Sequence, residues 1–223
     1  MSLELSIPVE SVALSALLDA ADHPAALVLL AHGSGAGKDH PFMSGYAQAV
    51  AALGCSVLRF NFPYMDAGKK FPDKAPTAVS AWNHVRNWAA ENLAGDLPIF
   101  AAGKSFGGRM ASVAVSEGMD AAGLVFLGYP LHAPKKDEKL RDEHLYALQV
   151  PMLFLEGTRD PFANPQIMAD VASRLNEKTE LVWFEGGDHS FKVPRSGRTP
   201  EQDGAGLAEA TARFIRSVLG HRS

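Results

Sequence analysis

The sequence predicts an α/β fold organised around one mainly parallel sheet with helices on both faces. Short apolar runs, Ala25 to Ala31, Val57 to Phe60 and Pro151 to Leu155 among them, alternate with stretches whose apolar residues recur at helical spacing. Turn chemistry separates them, as at Asp19-Ala-Ala-Asp22-His23-Pro24. No repeat, low-complexity tract or linker interrupts this rhythm, so residues 1–223 are expected to form a single domain. With 223 residues and 47% hydrophobic content, such a domain buries roughly 70% of its unfolded surface and needs no covalent staples.

Ser11 to Leu18 places Val12, Leu14 and Leu18 on one side at period two, a half-buried strand. Ala25 to Ala31 is a fully buried strand that ends at His32-Gly33-Ser34-Gly35-Ala36-Gly37. Pro41 suits the first turn of a helix, which runs to Leu53 and stops at Gly54. Val57 to Phe60 is the next strand, with Asn61 to Tyr64 as its exit and a loop over residues 66–76. A helix over Thr77 to Leu93 carries Trp82, Val85, Ala89 and Leu93 on one stripe, as core residues.

Ile99 to Ala102 reads as a buried strand, followed by Gly103-Lys104-Ser105-Phe106-Gly107 and a helix from Arg109 to Glu117 that Gly118 ends. Strands at Gly123 to Leu127, Pro151 to Leu155 and Leu181 to Phe184, with helices at Pro165 to Leu175 and Leu207 to Leu219, complete the alternation. Residues 130–149 depart from it. They are charged and weakly apolar, and are expected to be a solvated helix and loop, with a small cap as the alternative and no room for a large lid.

The formal net charge of −4 and the absence of a basic block interleaved with aromatics argue against a nucleic-acid surface. The single cysteine, Cys55, excludes an intrachain disulfide and is expected to be a buried thiol. The N-terminus lacks a basic signal-peptide region, and the longest apolar run is too short to cross a bilayer. A soluble cytoplasmic protein is expected.

Strand, G-x-S-x-G, helix is the context of a nucleophile elbow. A serine at so tight a turn has its Oγ pushed clear of the sheet, and residues two before and two after it must be small. Here both are glycine. A serine nucleophile needs a base and a carboxylate that orients it, arriving in the chain order serine, acid, histidine. His189, in Glu185-Gly186-Gly187-Asp188-His189, follows one strand and is the expected base. Asp160, in Gly157-Thr158-Arg159-Asp160-Pro161-Phe162, follows the strand before it and is the expected acid. His132 and His144 belong to the charged segment, and His221 lies past the last helix.

The backbone N–H of Phe106 is one expected oxyanion donor, with Ser34 as its partner and Gly35 as the alternative. Phe42, Met43, Phe106, Phe162 and Phe191 flank these loops and predict an apolar substrate pocket. His32 is expected to be a structural hydrogen-bonder. Lys104 and Arg109 could draw an anion, although roles on the helix surface fit them better. Gly33 to Lys38 imitates a phosphate loop but has His32 and Asp39 where glycine and a hydroxyl are required. No histidine pair has metal-ligand spacing, so neither cofactor nor metal is expected.

HGSGAGKDHPFM, FNFPYM, GKSFGGRM, LEGTRDPF and GGDHSF, in that order, resemble the α/β-hydrolase superfamily on its small, lid-poor, dienelactone-hydrolase-like side. The resemblance runs from about Ala25 to the last helix. It implies an eight-stranded, mostly parallel sheet, with Ser105, Asp160 and His189 as a triad. The chain departs from dienelactone hydrolase in having serine where that enzyme has cysteine. A serine esterase or thioesterase acting on a small molecule is the implied activity, with a peptidase, a lactonase or a non-catalytic binding module as alternatives.

Overall fold

The computed structural model describes residues 2–9 and 12–220. Its eight-stranded sheet is formed by β1 (Leu3–Val9), β2 (Val12–Asp19), β3 (Ala26–Ala31), β4 (Cys55–Phe60), β5 (Ile99–Lys104), β6 (Leu124–Leu127), β7 (Met152–Gly157) and β8 (Thr179–Phe184). The spatial order is β1-β2-β4-β3-β5-β6-β7-β8. From β4 to β8 every neighbouring pair is parallel, whereas β1 with β2 and β2 with β4 are antiparallel.

The central strands are buried on both faces, which is why they read as continuous apolar runs. Alternation within them divides the core in two. Leu27, Leu29, Phe126 and Phe154 pack with α3 (Ala75–Ala89), α4 (Phe106–Ser116) and α5 (Pro165–Arg174). Val28, Leu30, Val125 and Leu153 pack on the other face with α1 (Pro41–Ala52) and α7 (Ala208–Gly220). Trp82 is fully buried in the first layer and Cys55 is buried in the second, both as expected. His40 and Asn164 cap α1 and α5 by accepting from the N–H groups of Phe42 and Gln166, each ahead of a first-turn proline.

The differences from expectation have local causes. β1 pairs only with β2 and buries little beyond Ile7, so it carries a faint apolar signal. Two short helices, α2 (Pro63–Asp66) at the exit of β4 and α6 (Pro200–Ala205) ahead of the last helix, are additional to the expected elements. The second is opened by a Thr199–Gln202 capping box. Asp19 closes β2 instead of starting a solvated turn, because it forms a buried ion pair with Arg59 at 2.8 Å. Residues 130–149 hold a five-residue 3-10 turn, Glu143–Ala147, instead of a solvated helix, and Leu131, His132, Leu145 and Leu148 are buried. Ser11 and His221 lie outside the described residues.

Among the described residues, no helix is long and apolar enough to cross a membrane. All the strands that lead to the expected functional loops end on the same edge of the sheet, where α/β proteins form their binding crevices.

Candidate active site

β5 ends at Lys104 and α4 begins at Phe106, leaving Ser105 alone in the turn at φ 50, ψ −114. A side chain rarely tolerates this conformation, which typically costs about 1–3 kcal/mol and is retained only where the surroundings fix it. Here they do. The Ser105 N–H donates to Leu127 O at 3.1 Å, and Ser105 O accepts from Arg109 N–H at 3.0 Å. A Cβ on Gly103 would lie 2.2 Å from the Gly108 nitrogen, and one on Gly107 would lie 2.6 Å from both Ala31 O and His32 O. The elbow therefore needs the expected glycines, and Gly108 as well, whose Cβ would lie 2.6 Å from Gly103 O.

The loops after β7 and β8 are locked together. A Cβ on Gly157 would lie 2.3 Å from Gly187 O, while Arg159 N–H donates to that same oxygen at 2.9 Å. This contact sets Asp160 beside His189. Asp160 Oδ2 lies 2.6 Å from His189 Nδ1, and His189 Nε2 lies 2.8 Å from Ser105 Oγ. Asp160 Oδ1 accepts from Phe162 N–H at 2.7 Å, so the carboxylate has one direction left in which to act. Asp188 accepts from the N–H groups of Ser190 and Lys192 and shapes the loop without reaching the imidazole edge that Asp160 occupies. Phe162 packs on the imidazole, ring centroids 4.4 Å apart.

Burial lowers the His189 pKa from its usual value, with the hydrogen bond to Asp160 opposing and the Lys104 charge reinforcing the shift. The ring is thus neutral near pH 7. With Nδ1–H donated to the carboxylate, the lone pair of Nε2 faces the serine hydroxyl. Next to this chain, burial pushes Lys104 down to about 8 against the pull of Asp160, Glu156 and Asp188. Burial, followed by the charge of Asp160, raises Glu156 well above the usual carboxylate range. Lys104 donates to the carbonyl of His189 at 2.5 Å, and Glu156 Oε1 accepts from Tyr129 N–H at 2.6 Å.

Of the expected oxyanion donors, the N–H groups of Phe106 and Ser34 have no partner among the described residues. Gly35 is different, since its N–H makes a long contact of 3.4 Å to Tyr64 Oη. His32 is a structural hydrogen-bonder: Nε2 accepts from Phe62 N–H at 3.1 Å, and Nδ1–H donates to Gly33 O at 2.8 Å. Ser105, Phe106, Ser34, Phe42, Met43, Phe162 and His189 all line one cavity of about 760 Å³. Phe191 does not. It is buried beneath the site, stacked on Phe42 and packed edge-on against Phe184.

Lys104 and Arg109 are not helix-surface residues, because both face this cavity. Arg141, from the segment after β6, faces it too and carried no sequence signal apart from the segment's charge. Among the described residues, no group of three or more His, Cys, Asp or Glu is placed to hold a metal ion.

Residues 24–216 match the family model of the alpha/beta hydrolase domain. A dienelactone hydrolase from Anabaena variabilis superposes with a TM-score of 0.76 at 20% identity, covering 97% of each chain. A lidless α/β serine hydrolase from Xanthomonas campestris superposes with a TM-score of 0.74 at 19% identity, over 97% of this chain and 94% of its own. The esterase domain of a Rhodothermus marinus protein gives 0.74 at 15% identity, over 97% of this chain and 98% of its own. The chain belongs to the alpha/beta hydrolase family.

Proposed function

We propose that this alpha/beta hydrolase is a serine hydrolase that cleaves a small ester or thioester. In this reading Ser105 is the nucleophile, His189 the general base and then acid, and Asp160 the carboxylate that orients the ring. One observation carries it: Asp160 Oδ2, His189 Nδ1, His189 Nε2 and Ser105 Oγ form an unbroken chain with links of 2.6 and 2.8 Å.

Nε2 accepts the hydroxyl proton as Oγ attacks the carbonyl carbon. The charge that develops on the carbonyl oxygen falls to the unpaired N–H groups of Phe106 and Ser34, and one such donor is typically worth about 3 kcal/mol in the transition state. The tetrahedral intermediate collapses, and the leaving alcohol or thiol takes the proton from Nε2. Water then gives its proton to Nε2, attacks the acyl carbon, and releases the acid with the Ser105 hydroxyl restored. Phe42, Met43, Phe106 and Phe162 give the pocket an apolar wall that suits the hydrocarbon part of such a substrate. One domain spanning residues 1–223 supplies every group.

Turnover of p-nitrophenyl butyrate and of a short acyl thioester by the purified protein is the test. Ser105→Ala is expected to lower kcat by roughly 10⁴- to 10⁶-fold. Hydrolysis at the wild-type rate in that variant would overturn the mechanism.

A further inference from the structure

The cavity beside Ser105 is lined by two arginines, Arg109 and Arg141, that no carboxylate pairs with among the described residues. Arg109 stands one helical turn beyond the serine, about 6 Å along the α4 axis, tied to it by the 3.0 Å bond from Arg109 N–H to Ser105 O. Its Nε is buried without a hydrogen-bond partner, and among the described residues its guanidinium makes no ion pair. Arg141 reaches the same cavity from the segment after β6, and among the described residues its one side-chain bond is a long one, 3.3 Å, to Pro130 O.

The two guanidinium groups disfavour one another, and Arg109 adds to burial in lowering the pKa of Arg141. Tyr129 and His144, which also face Arg109, bring no negative charge, and burial together with Arg109 holds His144 down at about 4. The nearest carboxylate in sequence, Asp142, is engaged at the surface by Tyr146 Oη at 2.7 Å. Of the other cations that line the cavity, Arg198 is paired with Asp203 at 2.8 Å, Lys104 donates to the His189 carbonyl, and Lys192 is exposed to solvent. Adjacent, partly buried guanidinium groups with unfilled donors are costly unless an anion bridges them. Their planar forks match an oxyanion in bidentate fashion.

We infer that Arg109 and Arg141 form an oxyanion subsite, and that the substrate carries a carboxylate or a phosphate group a few bonds from its scissile carbonyl. The second half of this rests on the serine-hydrolase reading, whereas anion binding itself does not.

The test therefore has two arms. In the first, glutarate and inorganic phosphate are titrated calorimetrically, at low ionic strength, into the Ser105→Ala protein, which needs no turnover. At least one of them is expected to bind, the tighter one naming the anion's source. Arg109→Gln and Arg141→Gln, each added to that background, are expected to weaken binding tenfold or more, and Arg109→Lys less. In the second arm, kcat/KM is compared for 4-nitrophenyl hemiglutarate and 4-nitrophenyl valerate, or for the phosphate-bearing analogue where phosphate binds tighter. The ratio of anionic to neutral ester is expected to fall at least tenfold in either Arg→Gln variant, and the preference for the anionic ester to weaken with added salt.

Binding of neither anion would overturn the subsite, and so would Arg→Gln variants that slow both esters by one common factor. If the anions bind and no ester is cleaved, the subsite stands and the hydrolase reading fails. Thermal melts of each variant separate loss of fold from loss of the site.

Discussion

Lys104 donates a hydrogen bond of 2.5 Å to the backbone carbonyl of His189, so the residue before the elbow serine holds the loop that carries the imidazole. The same ammonium lowers the pKa of that imidazole. A base must be neutral to act, so kcat/KM should rise through an acid limb that lies below the ordinary histidine value of 6.5. Lys104→Met removes a positive charge that disfavours imidazolium. The His189 pKa should then rise and the acid limb move to higher pH. A full pH profile of kcat/KM checks this, and a merely structural lysine would lower the plateau without moving the limb.

Glu156 is fully buried beside Asp160, with Oε1 bonded to Tyr129 N–H and Oε2 without a partner among the described residues. Its raised pKa keeps it protonated in the folded protein at a pH where it ionises in the unfolded chain. A raised folded-state pKa contributes stability below the unfolded value that is lost as pH rises toward the folded one. Glu156→Gln keeps the shape and the acceptor but cannot ionise. It should therefore flatten the decline in melting temperature with rising pH. Glu156→Ala leaves the Tyr129 N–H buried and unpaired, at a cost of about 1–3 kcal/mol. Thermal melts across pH distinguish the two.

Gly157 joins the two loops that meet at the histidine. A Cβ there would lie 2.3 Å from Gly187 O and 2.7 Å from Asp188 O, both backbone atoms that cannot turn aside. Gly157→Ala should cost about 1–3 kcal/mol as overpacking. It should also part Asp160 from His189, so that kcat falls by more than the loss of folded protein accounts for. Melting temperature and kcat, measured on the same preparation, check it.

Asp160→Asn tests what the carboxylate does. An amide can donate to Nδ1 and so select the tautomer that turns an N–H toward Ser105. A drop of about 10⁴-fold in kcat with little change in melting temperature is expected.

The parts of the fold that the sequence made legible are those that leave a periodic or steric mark. Strands β3 to β7 show as apolar runs because both their faces are covered, and the elbow shows because a Cβ on Gly103 or Gly107 would lie 2.2 to 2.6 Å from backbone atoms. Ser105, Asp160 and His189 were within reach because each follows a strand on the same edge of the sheet. What stayed hidden depends on side chains that meet only after folding. Lys104 and Arg109 looked like surface charges until β5 and α4 turned them into the cavity. Phe191 looked like pocket lining, yet it takes φ 62 and turns into the core against Phe42. Arg141 sat in a segment whose charge suggested solvent, although Leu131, Leu145 and Leu148 fasten that segment to the protein.

The most direct test of the serine-nucleophile account is the site of attachment of a fluorophosphonate, read by mass spectrometry of the digested protein. The account predicts a single phosphonyl adduct on the peptide that contains Ser105, strongly diminished in His189→Ala at equal reagent and time. A protein left unmodified under conditions that label a control serine hydrolase, or modified on another peptide, would contradict it.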